Sequence, residues 1–155
     1  AAWPLDRLLS PRAWEGILRE ADRAVREDPE AGYTTLIGLS IPRGQMDGAS
    51  CCDSAVLCID GAGRVQEPTR HQVKDTPAGS GAAFPRYFWA ELVPPWVVLV
   101  MSDGVWKYVG RERLIETAKK HRGDALVHEL QQAARLKGSG AFQDDFTLIV
   151  IQDAD

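Results

Sequence analysis

Two acidic spots in this 155-residue chain stand where a carboxylate could do chemistry. Asp103 follows an apolar run at 96–101 after one residue, Ser102, and the pair Asp144-Asp145 directly precedes a strand-like segment at 146–151. A carboxylate at the edge of an apolar strand is open to solvent yet held by a rigid element. Oxygen ligands of that kind suit a hard divalent cation such as Mg²⁺ or Mn²⁺, which retains several of its waters. Taken singly, each spot reads more simply as a turn, because Asp-Gly is a common turn dipeptide and Asp-Asp before a strand is often a solvated loop. The chain carries no G-x-S-x-G elbow, no reactive-cysteine motif and no Walker loop, so it advertises no protein nucleophile. Water activated by a metal ion fits that inventory.

The elements that would position these residues follow from periodicity. Residues 10–28 read as a helix, with Ser10 as cap, Pro11 in the first turn, and Trp14, Ile17, Leu18, Ala21, Ala24 and Val25 on one stripe. Strand patterns follow at 33–41 and 50–60, with a turn between them marked by Pro42, Gly44 and Gly48, and the two runs are expected to pair as a hairpin. A short strand is expected at 64–67. The segment 74–85 is rich in Gly, Ala and Pro and reads as a loop, the most mobile part of the chain. An irregular strand at 87–92 precedes Pro94-Pro95, and the unbroken apolar run 96–101 fits a strand buried on both faces. Helices at 110–120 and 124–136 and a last strand at 146–151 complete the order. Strands in runs with helices segregated predict an α+β layered fold of mainly antiparallel sheets, in a single domain over 1–155.

Composition narrows the class. Hydrophobic residues make up 45% and charged residues 26%, as in an ordinary globular domain. The longest apolar run is far short of the roughly 18 residues a membrane-spanning helix needs. A net charge of -4 argues against a surface built to neutralise nucleic-acid phosphates. Cys51, Cys52 and Cys58 form no C-x-x-C pair and leave an odd thiol, so they are expected to be reduced and buried. The N-terminus, Ala-Ala-Trp-Pro-Leu-Asp-Arg, has no basic region followed by an apolar core, which predicts a cytoplasmic protein.

Five segments, in order over about 32–151, resemble the metal-dependent protein phosphatases of the PPM (type 2C) family. Gly32-Tyr33-Thr34-Thr35-Leu36 is similar to the family's G-T-T-L, Cys52-Asp53-Ser54-Ala55 stands in the place of its G-D-S-R, and Thr69-Arg70-His71 in that of its T-x-D-H. The two specific matches are Val98 to Trp106, close to L-L-A-S-D-G-L-W-D, and Asp144-Asp145-Phe146-Thr147-Leu148-Ile149-Val150, close to D-N-I-T-V-I-V.

The resemblance implies an α-β-β-α sandwich of two mainly antiparallel sheets flanked by helices, with a metal centre of two or three Mn²⁺ or Mg²⁺ ions. The implied activity is hydrolysis of phosphoserine and phosphothreonine in proteins by metal-activated water. Carried over residue by residue, Asp103 and Asp144 match ligands of one metal, and Asp53 matches an aspartate that helps a looser third ion. Gly104 and Asp145 are expected beside the ligands. The implied partners are a phosphoprotein substrate and a Ser/Thr kinase or its targets.

Departures from the pattern matter as much. Asp145 replaces the usual Asn and adds negative charge beside Asp144, Cys52 replaces Gly, and Ala55 replaces Arg. His71 lacks the acidic neighbour before it and reads as a surface or packing histidine, as do His121 and His128 on the late helices. No counterpart of the family's N-terminal D-G-x-x-G strand pair precedes the first helix, so the resemblance implies a chain cut short at its N-terminus, with a complementing segment as partner. The alternative is a catalytically inactive scaffold that binds a phosphoprotein or partner chain. A carbohydrate or nucleotide hydrolase has only the two acidic spots in its favour.

Overall fold

Buried strands and amphipathic helices form where the apolar pattern demands them. In the computed structural model, which describes residues 12–72, 74 and 76–153, the order is α1 (Ala13–Glu27), β1 (Leu36–Ser40), β2 (Gln45–Cys51), β3 (Ala55–Ile59), β4 (Val65–Gln66), β5 (Arg86–Glu91), β6 (Val97–Met101), α2 (Asp103–Val109), α3 (Arg111–Lys120), α4 (Gly123–Ala134) and β7 (Leu148–Gln152). The fold is α+β, and the described residues form two antiparallel sheets and four α-helices. Two compact units share the chain, one over residues 1–54 and 68–91 and the other over 55–67 and 92–155. Among the described residues no helix is long and apolar enough to cross a membrane.

The first unit holds a sheet in the order β1-β2-β5. The expected hairpin forms, with Leu36 opposite Cys51 and Ser40 opposite Asp47. Its second strand differs from the sequence reading. The run 50–60 is not one strand but the end of β2 and all of β3, and Gly48 lies inside β2 rather than in the turn. The chain breaks at Cys52, whose φ of 68° is the left-handed region. A side-chain-bearing residue reaches that region only at a cost, which is why Gly would be the undemanding occupant. Alternation alone runs straight through the break.

Helix α1 packs its Trp14, Ile17 and Leu18 against Leu36, Ala49 and Cys51 of this sheet. The proposed cap at Ser10 and Pro11 lies outside the described residues. Ala24, placed on the apolar stripe by its spacing, is exposed, whereas Asp22 is buried at 3% exposure. Its carboxylate accepts backbone N–H bonds from Gly79 at 2.8 Å, Gly81 at 2.9 Å and Ala83 at 3.2 Å. Composition marks this Gly- and Ala-rich loop as mobile, but a buried anion holds it to the helix. Gly79 is required there: its φ is +96°, and a Cβ would stand 2.8 Å from the Gly32 carbonyl oxygen. Burying a carboxylate is tolerable only because the donors replace its water.

The second unit holds a sheet in the order β4-β3-β6-β7, antiparallel throughout. Leu57, Ile59, Val97, Leu99 and Met101 share a core with Val105 and Val109 of α2, Leu114 and Ala118 of α3, and Leu126, Leu130 and Ala134 of α4. Each fully buried Leu or Val here contributes about 1.5–3 kcal/mol. Residues on both faces of β6 are buried, as its unbroken apolar run predicts. Helix α2 is not foreshadowed by the sequence pattern, which ends the strand at Ser102-Asp103-Gly104 and starts the next helix at 110. Asp-Gly reads as a turn, yet Asp103 opens a helix directly, where a carboxylate suits the positive end of the helix dipole.

All three thiols are free and buried. Burial pushes Cys51 up to about 11 and Cys58 up to about 12, with the Asp22 charge adding to the first. Tyr87 rises to about 12 through burial and its 2.5 Å bond to Asp47. Each group is held neutral in the fold and ionises first in the unfolded chain. Their contribution is therefore complete below pH 9.0 and is lost as pH climbs toward 12, so the urea midpoint should fall between pH 8 and 10.5. In the native protein, Cys51 and Cys58 should react with a thiol reagent at pH 8 only at the rate of unfolding. The Asp22→Ala substitution strands one buried and two half-buried donors and should cost about 2–3 kcal/mol, measured by urea denaturation.

Candidate metal centre

The register of the second sheet decides what meets at its rim. β6 and β7 run antiparallel with Met101 opposite Leu148, so the chain leaving β6 and the chain entering β7 lie at the same end. Ser102 locks them together. Its N–H donates to the Thr147 carbonyl at 3.0 Å, and its hydroxyl donates to the Asp145 carbonyl at 2.9 Å and accepts the Thr147 N–H at 3.1 Å. Ser102 occupies the cap position of α2, but its hydroxyl makes no cap bond to that helix. Its polar capacity is spent on the β7 entry.

Gly104 lets the two segments close. It is buried, and a Cβ there would fall on the Asp145 carbonyl oxygen and stand 3.2 Å from the Asp144 Cβ. The structure thus brings the main chain around Asp103 against the main chain of Asp144 and Asp145. Asp103 is partly exposed at 23%, and its Oδ2 accepts from Lys107 Nζ at 2.8 Å. Asp144 is exposed, and its Oδ1 accepts the Asp145 N–H at 2.9 Å.

Asp53 belongs to the first unit, in the turn after β2, where its Oδ2 lies 3.7 Å from Lys74 Nζ. The neighbouring Ser54 hydroxyl donates to Thr35 Oγ1 at 2.6 Å. His71 is exposed, Thr69 is buried, and His128 is exposed on α4. Sequence reasoning missed Ser102 and Lys107. Lys107 could have been found from its i+4 spacing to Asp103, had α2 been recognised.

A hard divalent cation takes oxygen ligands and completes its shell with water or phosphate. Asp103 and Asp144 stand on abutting segments, with both carboxylates reached by solvent. Among the described residues, no group of three or more His, Cys, Asp or Glu side chains is placed to hold a metal, so these residues do not fit a centre of two ions.

No protein-family model matches the sequence, and no curated protein matches it. Solved structures do. The catalytic domain of the serine/threonine protein phosphatase PstP, in complex with two manganese ions, superposes with a TM-score of 0.72 at 18% identity, covering 94% of this chain and 75% of that one. A bacterial serine phosphatase variant gives 0.71 at 18% identity, covering 93% and 65%. PppA, a key regulatory component of T6SS in Pseudomonas aeruginosa, gives 0.63 at 17% identity, covering 78% and 61%. The chain has the fold of the PPM-type serine/threonine phosphatases. It spans less than two thirds of the length of the last two, and at these identities the PPM likeness is one of fold.

Adding a side chain at Gly104 should be costly. Gly104→Ala must displace the Asp145 main chain and should lose about 1–3 kcal/mol, read as a lower thermal midpoint.

Proposed function

We propose that this chain is a PPM-type phosphatase domain that hydrolyses phosphoserine and phosphothreonine in proteins, with Asp103 and Asp144 as ligands of a divalent cation, Mn²⁺ or Mg²⁺. The observation that carries the reading is the Ser102 lock, which joins the two acidic segments in a fold shared with serine/threonine phosphatases. When bound, such an ion supplies positive charge for the phosphoryl oxygens and acidifies water. The chain's own part is positional. Asp103 and Asp144 present the oxygen ligands, Ser102 keeps the segment bearing Asp144 against α2, and Gly104 removes the side chain that would force them apart. Gly104 and Asp145 are assigned as neighbours of the ligands, and Asp53 is a weaker candidate for a further ion. The substrate class is a phosphoprotein, including a Ser/Thr kinase or its targets. Three free, buried thiols support a reducing, cytoplasmic setting.

A second reading is favoured by one observation. The described residues offer no third ligand beside Asp103 and Asp144, which suits a scaffold that binds a phosphoprotein or a complementing segment without turnover. Hydrolysis of p-nitrophenyl phosphate and of a phosphothreonine peptide, with and without Mn²⁺, separates the two. The phosphatase reading expects Mn²⁺-dependent release of phosphate that Asp144→Asn lowers at least about 10- to 100-fold, with circular dichroism unchanged, since even outer partners of metal ligands produce losses of that order. No hydrolysis by a folded wild-type chain, with the phosphopeptide still bound, establishes the scaffold.

A further inference from the structure

Each sheet ends in strands with no outer neighbour among the described residues, and three of these four edges are blunted. β1 is weakened by Gly38, β4 is two residues long, and β5 begins on Arg86 and ends on Glu91. Short edges and charged edge residues discourage a further strand. β7 has no such guard. Its residues, Leu-Ile-Val-Ile-Gln, include no charge, proline or glycine, and Ile149 is 54% exposed.

The groups on the outer edge of β7 can be named. The Ser102 N–H donates to the Thr147 carbonyl and the Asp153 N–H to the Trp96 carbonyl, so Ile149 and Ile151, opposite Val100 and Val98, turn their main-chain groups to β6. The N–H and C=O groups of Leu148, Val150 and Gln152 then point away from β6. A row of main-chain donors and acceptors beside an exposed apolar side chain is what an extended segment recognises. Charge selects the segment. Asp144 and Asp145, both exposed, precede β7, and Asp153 follows it. A second copy laid antiparallel on this edge would set acid against acid at both ends, which penalises self-pairing. Basic residues at both ends of an incoming strand would meet carboxylates instead. We propose that the outer edge of β7 takes up an added strand from a protein partner, an extended apolar segment matching the five residues of β7 and carrying Lys or Arg at both ends. The surface lies on the second unit alone and involves no cation.

Fluorescence anisotropy of a labelled peptide, Lys-Lys-Val-Thr-Val-Thr-Val-Lys-Lys, titrated with the whole chain tests this, and amide hydrogen exchange of the chain locates the peptide. Binding with Kd below about 1 mM is expected, weakened about threefold or more when salt rises from about 0.05 M to about 0.5 M. Glu in place of the flanking Lys should lower affinity about tenfold or more, and two adjacent prolines at the peptide's centre, which remove a donor in either register, should abolish binding. Exchange of the Val150 amide should slow when the peptide binds, because its outward N–H gains an acceptor. Ile149→Lys, at an exposed position, should weaken binding about five- to tenfold with circular dichroism unchanged. Absence of binding at about 1 mM chain, equal affinity for the Glu-flanked peptide, or binding indifferent to Ile149→Lys overturns the proposal. Protection confined to β1 or β5, or self-association of the chain that protects Val150 without peptide, overturns it as well.

Discussion

The antiparallel register of β6 and β7, fastened by Ser102, is the constraint on which the candidate site depends. Asp103 and Asp144 are remote in sequence, and nothing local brings them together. Once Met101 is paired with Leu148, however, the residue after one strand and the residues before the other must share a rim. The three hydrogen bonds of Ser102 then remove the remaining freedom between the segments. The pairing is favoured by the apolar faces of β3 and β6, buried against α2, α3 and α4, because a one-residue slip would turn a strand's core residues, such as Leu57, Leu99 and Met101, to the other face.

Aspartates in this chain serve two different ends, and the environment separates them. Asp22 and Asp60 are buried and their oxygens are taken by fixed donors, all main-chain for Asp22 and, for Asp60, two main-chain N–H groups and the Arg64 guanidinium. Asp22 anchors the loop through Gly79, Gly81 and Ala83, and Asp60 shapes the β3–β4 turn through Ala62 and Arg64. Asp103 and Asp144 remain accessible to solvent, with contacts to Lys107 and to the Asp145 N–H. A carboxylate saturated by fixed donors cannot accept an ion without unmaking its own fold, whereas an exposed ion pair can exchange partners. By this criterion Asp103 and Asp144, at the rim of the second unit, are the carboxylates left open.

Much of the fold was legible from pattern. The strands around 36–40, 86–91, 97–101 and 148–152 and the helices at α1, α3 and α4 follow their apolar periods closely. The failures share a cause. The break at Cys52 is a backbone conformation that side-chain alternation does not report. Helix α2 begins on an Asp-Gly dipeptide that local statistics assign to turns, and it exists because Val105 and Val109 reach a core supplied by distant elements. Asp22 sits in an apolar stripe because its partners are a loop more than fifty residues away. Among the aromatics at 84–96, Phe88 is core while Phe84 and Trp89 are exposed, a division that strand pairing sets.

By itself the sequence determined residue chemistry and local tendency: which segments could bury an apolar face, which carboxylates stood at strand edges, and the ordered likeness to a phosphatase family. Tertiary structure decided which of those carboxylates became structural anions and which stayed open, and it put Lys107 on Asp103. The physical reason is that a side chain's type is local, while its hydrogen-bond partners, its water and its neighbouring charges arrive from strands and loops far along the chain.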